Sequence, residues 1–173
     1  MITINTKIKN LLDDLVNKEL ETAYLYLDFA NYFESLGLRG YAHYYEVGSK
    51  QVVDQGLLVY KYLHLNNEKV KLLLIKANDK QFKDIKEVLA YGLEIEQSVT
   101  KLIDSIYNLS VELNDYRTME FIKWFLKTQF KEENDAQNMI DNFEIFTQNK
   151  ALFNLDSSYS KRDYVKPSME IFK

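Results

Sequence analysis

Five polar residues fall near the middles of otherwise apolar helical stripes: Glu19, Gln55, Glu96, Gln129 and Glu132. A carboxylate is seldom buried without a partner, because taking its charge out of water unpaired costs several kcal/mol. Taken singly, each glutamate reads most simply as a stripe-edge residue that reaches water. Three glutamates contributed by three helices at matching depth read differently. No lysine or arginine shares their stripes, so the expected compensator is a bound cation. An oxygen-rich donor set suits iron, manganese or magnesium rather than a thiolate-preferring metal. The chain has no cysteine, which excludes disulfides, thiolate ligands and a cysteine nucleophile.

These side chains need long helices to align them. One proline and five glycines in 173 residues favour helices over a many-turned sheet. Three- and four-residue spacing predicts four long helices. The first runs from about Ile4 to Ser35, with Ile8, Leu12, Leu15, Glu19, Thr22, Tyr26, Phe29 and Phe33 inward. The second runs from about Tyr41 to His64, with Tyr45, Gly48, Val52, Gln55, Val59 and Tyr62 on its stripe. The third runs from about Phe82 to Leu113, through Leu89, Gly92, Glu96, Val99, Ile103 and Ile106. The fourth continues after NDYRT (Asn114 to Thr118) to about Phe146, through Ile122, Phe125, Gln129, Glu132, Ala136, Met139 and Phe143. The short link Leu36 to Gly40 makes the first two helices antiparallel neighbours. The helical period fails over Asn66 to Gln81, with an extended-looking apolar patch from Val70 to Ile75. A connection of that length can cross from one end of a bundle to the other. A short helix is expected near Leu152 to Tyr164, ended by Pro167. The whole chain, 1–173, is expected to be one all-α domain, with the bundle over about 4–147 and the short C-terminal helix over about 152–164.

The bulk numbers narrow the partners. A net charge of −4 argues against nucleic acid, which usually requires a basic surface. No apolar run approaches the length of a membrane span. The opening residues carry Asp13 and Asp14 inside their apolar pattern, unlike a signal peptide, so a cytoplasmic protein is expected. His43 lies near the start of the second helix and His64 at its end. Neither falls on the polar layer, and both read as surface or helix-end residues. The runs Lys131 to Asp135 and Lys161 to Asp163 read as solvated faces.

Several segments carry a family resemblance. NKELETAYLY (Asn17 to Tyr26), EQSVTKLI (Glu96 to Ile103), NDYRTMEFIKWFLKTQFKEE (Asn114 to Glu133) and ALFNLDSSYS (Ala151 to Ser160) resemble the first, third, fourth and short fifth helices of ferritins of the bacterial non-haem type. The resemblance implies a ferritin-like antiparallel four-helix bundle with one long crossover and a short fifth helix. It also implies a homo-oligomeric cage of twenty-four chains that binds and stores iron, with Fe(II) oxidised at a ferroxidase centre. On that resemblance Glu19, Glu96, Gln129 and Glu132 stand at metal-site positions, Gln55 is a further candidate ligand, and Tyr26 is the near-site tyrosine.

The second helix departs from the family pattern. Its glutamate-x-x-histidine positions read Val52-Val53-Asp54-Gln55, so Val52 replaces the bridging glutamate and Gln55 the histidine. A bacterial third iron site has its glutamate positions occupied by Gln51, Thr128, Lys131 and Glu132. Weak or altered ferroxidase activity is therefore expected, with Asp54 or Gln51 as substitute ligands to be considered. The alternative is a shell that sequesters metal, or serves structurally, without oxidising iron. A DNA-protecting mini-cage fits less well, because such relatives lack the fifth helix and place metal between subunits.

Overall fold

The computed structural model describes residues 4–172. Its elements are α1 (Thr6–Ser35), α2 (Arg39–Leu65), α3 (Ile85–Glu112), α4 (Tyr116–Gln148), the short α5 (Leu152–Tyr159) and a 3₁₀ turn (Glu170–Phe172), with no strand among the described residues. This is a four-helix bundle with a short fifth helix. α3 begins three residues later than the periodicity predicts, because Asp84 is its N-cap and accepts from the Glu87 N–H at 2.9 Å. Asp115 caps α4 in the same way, accepting from the Thr118 N–H at 3.0 Å and the Thr118 hydroxyl at 2.7 Å.

All four long helices stop by one device. Gly37, Asn67, Asn114 and Lys150 follow α1 to α4 in the left-handed region, at φ 76°, 59°, 55° and 55°. The next residue's N–H then folds back five positions: Leu38 onto the Phe33 carbonyl, Glu68 onto Leu63, Asp115 onto Ser110 and Ala151 onto Phe146, at 2.8–3.0 Å. Glycine and asparagine enter that region readily. Lysine does so against its Cβ.

The inward stripes form two apolar clusters. One end of the bundle gathers Ile8, Leu12, Val59, Ile103, Ile122 and Phe125, all fully or nearly fully buried. The other gathers Phe29, Phe33, Tyr41, Tyr45, Leu89 and Met139. Aromatic faces close both ends: Phe33 stacks on Tyr41 at 4.7 Å and Tyr62 on Phe121 at 3.9 Å. Glu19, Gln55, Glu96 and Gln129 are buried on the stripes between the clusters.

The crossover, residues 66–84, is extended and is fastened to α1 rather than packed by its own apolar residues. Asn17 donates to the Lys71 carbonyl and accepts from the Leu73 N–H, both at 2.7 Å. Asp13 accepts from the Lys71 N–H at 3.1 Å and pairs with Lys9. Of the expected apolar patch, Val70 is buried while Leu72, Leu73, Leu74 and Ile75 are exposed.

α5 seats on the start of α2, which has no side-chain cap of its own. Asp156 supplies one from a distance, accepting from the Tyr41 N–H at 2.9 Å. Gly40 makes the approach possible, since a Cβ there would lie 1.7 Å from the Asp156 carbonyl oxygen. α5 ends at Tyr159, five residues short of the expected boundary and well before Pro167. The chain then leaves helical geometry and runs along α2, where Val165 and Tyr164 bond to α2 side chains. That side-chain anchoring, not proline, replaces further helix.

Candidate metal centre

Glu96 lies at the middle of the polar layer. The Tyr26 hydroxyl donates to its Oε1, and Gln129 Nε2 donates to its Oε2 at 2.6 Å and to its backbone carbonyl at 3.0 Å. Three helices therefore meet at one carboxylate. Burial pushes that carboxyl up to about 7, with the neighbouring Glu132 adding to the rise, while the Tyr26 and Gln129 hydrogen bonds pull it down. Glu19 is 2% exposed, and its Oε1 is buried with no hydrogen-bond partner. Burial, then the charges of Glu96 and Glu132, hold it well above the usual carboxylate range. Glu132 is half-buried and raised by burial, with Arg162 opposing the rise. An orphaned carboxylate oxygen in a layer of mutually repelling acids calls for a proton or a cation.

Among the described residues, no three acidic or histidine side chains are gathered tightly enough to hold an ion as they stand. Glu96 is engaged on both oxygens, so a bound cation has to compete with the Tyr26 hydroxyl and the Gln129 amide.

A family model described as a ferritin-like domain matches residues 9–146. The chain belongs to the ferritin family. The bacterial non-heme ferritin of Staphylococcus haemolyticus is 31% identical over 130 residues, spanning 75% of this chain and 78% of that one. That of Bacteroides fragilis is 25% identical over 159 residues, covering 92% and 99%. A solved open-pore ferritin from the hyperthermophilic archaeon Archaeoglobus fulgidus superposes with a TM-score of 0.90 at 26% identity, covering 94% of this chain and 100% of that one.

Val52 is buried within an apolar cluster, so its position serves packing. Gln55 is buried on the polar layer. The two substitutes considered from the sequence are both turned to the C-terminal segment. Asp54 accepts from the Tyr164 hydroxyl. Gln51 accepts from Arg162 Nη2 at 2.7 Å and donates to the Val165 carbonyl at 3.2 Å. His43 is bonded to the Arg162 carbonyl at 2.8 Å, and His64 is exposed against the Tyr60 ring.

One sequence expectation fails at this site. Lys161 and Asp163 are exposed, as a solvated run should be, but Arg162 is not. Its guanidinium lies against α2 and donates to the Tyr44 carbonyl at 3.1 Å. Nothing periodic marks it, because it sits on an irregular segment whose path is set by tertiary contacts.

Proposed function

We propose that this ferritin-family chain assembles into a homo-oligomeric cage of twenty-four subunits that takes up and stores iron in the cytoplasm. Fe(II) is both cargo and substrate. The observation that carries this reading is the layer of buried Glu19 and Glu96 with half-buried Glu132, and an unpartnered Glu19 oxygen, on a chain whose residues 9–146 match the family. Glu96 and Glu132 are the principal ligands, Glu19 completes the set, and the amide oxygens of Gln129 and Gln55 are neutral donors beside it. A shell of such chains carries about a hundred negative charges, which draws Fe(II) toward it.

Oxidation is slow on this reading. A shared carboxylate would hold two irons at one separation so that they deliver electrons to oxygen together, and proximity of that kind lowers a barrier by several kcal/mol. Val52 cannot ligate, and Gln55 lacks the imidazole nitrogen. The second reading is a shell that binds iron without oxidising it, favoured by the packing role of Val52.

Oxygen consumption on adding Fe(II) to the metal-free protein tests both, with Glu96→Ala and Glu132→Ala beside it. The expected result is slow uptake without a fast phase saturating at two irons per chain, reduced in both variants. A fast saturable phase abolished by Glu96→Ala would refute the slow single-site reading. Binding with no uptake above the buffer rate would select the second.

A further inference from the structure

Among the described residues, the buried serine, threonine and acidic side chains are hydrogen-bonded, with two exceptions. Ser49 donates to the Ala23 carbonyl at 2.8 Å, Ser110 to the Ile106 carbonyl at 2.7 Å and Thr118 to Asp115 at 2.7 Å. Asp13 and Asp156 accept from backbone N–H groups. Thr22 is the first exception. It is 2% exposed, and its hydroxyl bonds to nothing in the protein, not even the carbonyl one turn back that helical threonines commonly use. Glu19 Oε1 is the second. The two residues stand three apart on α1, which sets their Cβ atoms about 5–6 Å apart on one face. Their oxygens do not bond each other.

Thr22 also lines a cavity of about 370 Å³ between α1, the crossover and α3. Leu25, Tyr91 and Ile95 give it apolar walls, and residues 76–79 of the crossover form its outer edge. That edge is fastened to both flanking helices. Asn78 Nδ2 donates to Asp28 on α1 at 2.8 Å, and the Lys80 ammonium lies 3.9 Å from the Tyr91 ring centroid on α3. The cavity opens to solvent beside the exposed Lys76, Ala77 and Asp79. Glu19 lies one turn further along α1, on the polar layer.

We propose that Thr22 is a positioning residue for the metal layer: it seats a water, supplied through this cavity, that also bonds the bare Glu19 oxygen. The inference deepens the metal reading of Glu19 and Glu96 and rests on it. One water spans two oxygens about 5–5.5 Å apart, two hydrogen bonds of about 2.8 Å end to end. It satisfies two buried groups that no protein atom satisfies. With an ion held by Glu19, the same water is placed to join the oxygen donors around it, and Thr22 fixes where that water stands.

Thr22→Val keeps the shape and removes the hydroxyl, so the sign of its effect decides between a seated water and an idle group. In the assembled, metal-free protein it should lower the melting temperature by roughly 2–4 °C, because the water at Glu19 loses its anchor. In a Glu19→Leu background the same change should be neutral or raise the melting temperature, since the hydroxyl then serves nothing. A Thr22→Val protein that melts at or above the parent would overturn the proposal. An equal loss in both backgrounds would overturn it as well, because the two oxygens would then not be coupled. Water-proton relaxation with Mn²⁺, an oxygen-preferring dication, reads exchanging water at the ion, with Glu96→Ala setting the background. The enhancement should fall in Thr22→Val and return in Thr22→Ser, which keeps a hydroxyl. An enhancement unchanged in Thr22→Val, while Glu96→Ala abolishes it, would overturn the positioning role and leave the metal site standing. Enhancement that survives Glu96→Ala would instead refute the metal site itself, and the metal-free melts would still decide the water.

Discussion

Replacing Glu96 by glutamine should change the stability of the metal-free protein in opposite directions at the two ends of the pH range. The parent carboxyl is pushed up to about 7 from an ordinary 4.5. A carboxyl raised on folding contributes stability fully below the unfolded value and loses it as pH rises through the folded value. Holding Glu96 ionised at pH 8 therefore costs the fold about 3 kcal/mol. Glutamine removes that cost but has one oxygen where the carboxylate offers two. Tyr26 and Gln129 both donate to the side chain, so one of them loses its partner, at about 1 kcal/mol. The net expectation is a gain of about 2 kcal/mol at pH 8 and a loss of about 0.6 kcal/mol at pH 4.5, where the folded carboxyl is neutral and the unfolded one half ionised. For a chain of this size that corresponds to melting roughly 4–8 °C higher at pH 8 and 1–3 °C lower at pH 4.5, with the curves crossing near pH 5. Circular dichroism melts in chelator across pH 4.5–8 measure it. A difference that does not vary with pH would refute the account, because burial of a charge would then not be what Glu96 costs.

Placing ligands on the second helix with Val52→Glu and Gln55→His should raise bound divalent metal toward two per chain and produce a fast oxidation phase, read by stopped-flow oxygen uptake. The metal-free double variant should melt lower than the parent, since a further buried acid joins Glu19 and Glu96. Gly40→Ala places a methyl where the Asp156 carbonyl oxygen lies, so α5 must lift; a loss of about 2–3 kcal/mol and faster proteolysis between residues 149 and 160 are expected. Lys150→Gly relieves an exposed left-handed residue at the end of α4 and should stabilise by about 1 kcal/mol in melts. Analytical ultracentrifugation should find a shell near half a megadalton, and a monomer across the micromolar range would refute the cage.

The four long helices were legible because a bundle helix buries one stripe, and residues such as Ile8, Tyr41, Ile103 and Ile122 recur at the spacing that stripe demands. The polar layer was legible for the same reason: Glu19, Gln55, Glu96 and Gln129 interrupt that spacing with the wrong chemistry. The pairing within the layer was not. Periodicity gives a residue's face and depth but not its rotamer, so it cannot tell that Glu96 turns to Tyr26 and Gln129 while Glu19 keeps a bare oxygen. The path of the C-terminal segment along α2 was hidden more deeply. Arg162 stands between Lys161 and Asp163 in a run that resembles any solvated turn, and its contacts lie more than a hundred residues away in sequence. The apolar run at Leu72 to Ile75 misled in the other direction, because the backbone is fixed by Asn17 and the side chains stay outside.

The crossover divides the molecule into two hairpins of local contacts, α1 with α2 and α3 with α4, joined covalently only through residues 66–84. Glu19 and Gln55 belong to the first hairpin; Glu96, Gln129 and Glu132 belong to the second. The polar layer is therefore a seam between two halves that each close early and cheaply, and the hydrogen bond from Tyr26 to Glu96 is a stitch across it. A chain nicked near Asp79 would leave two fragments whose dissociation constant reports what fills the seam. An ion bound there would act as a linker as well as cargo, tightening the grip of one half on the other. Loading and unloading would then be felt as mechanical stiffness of the whole subunit.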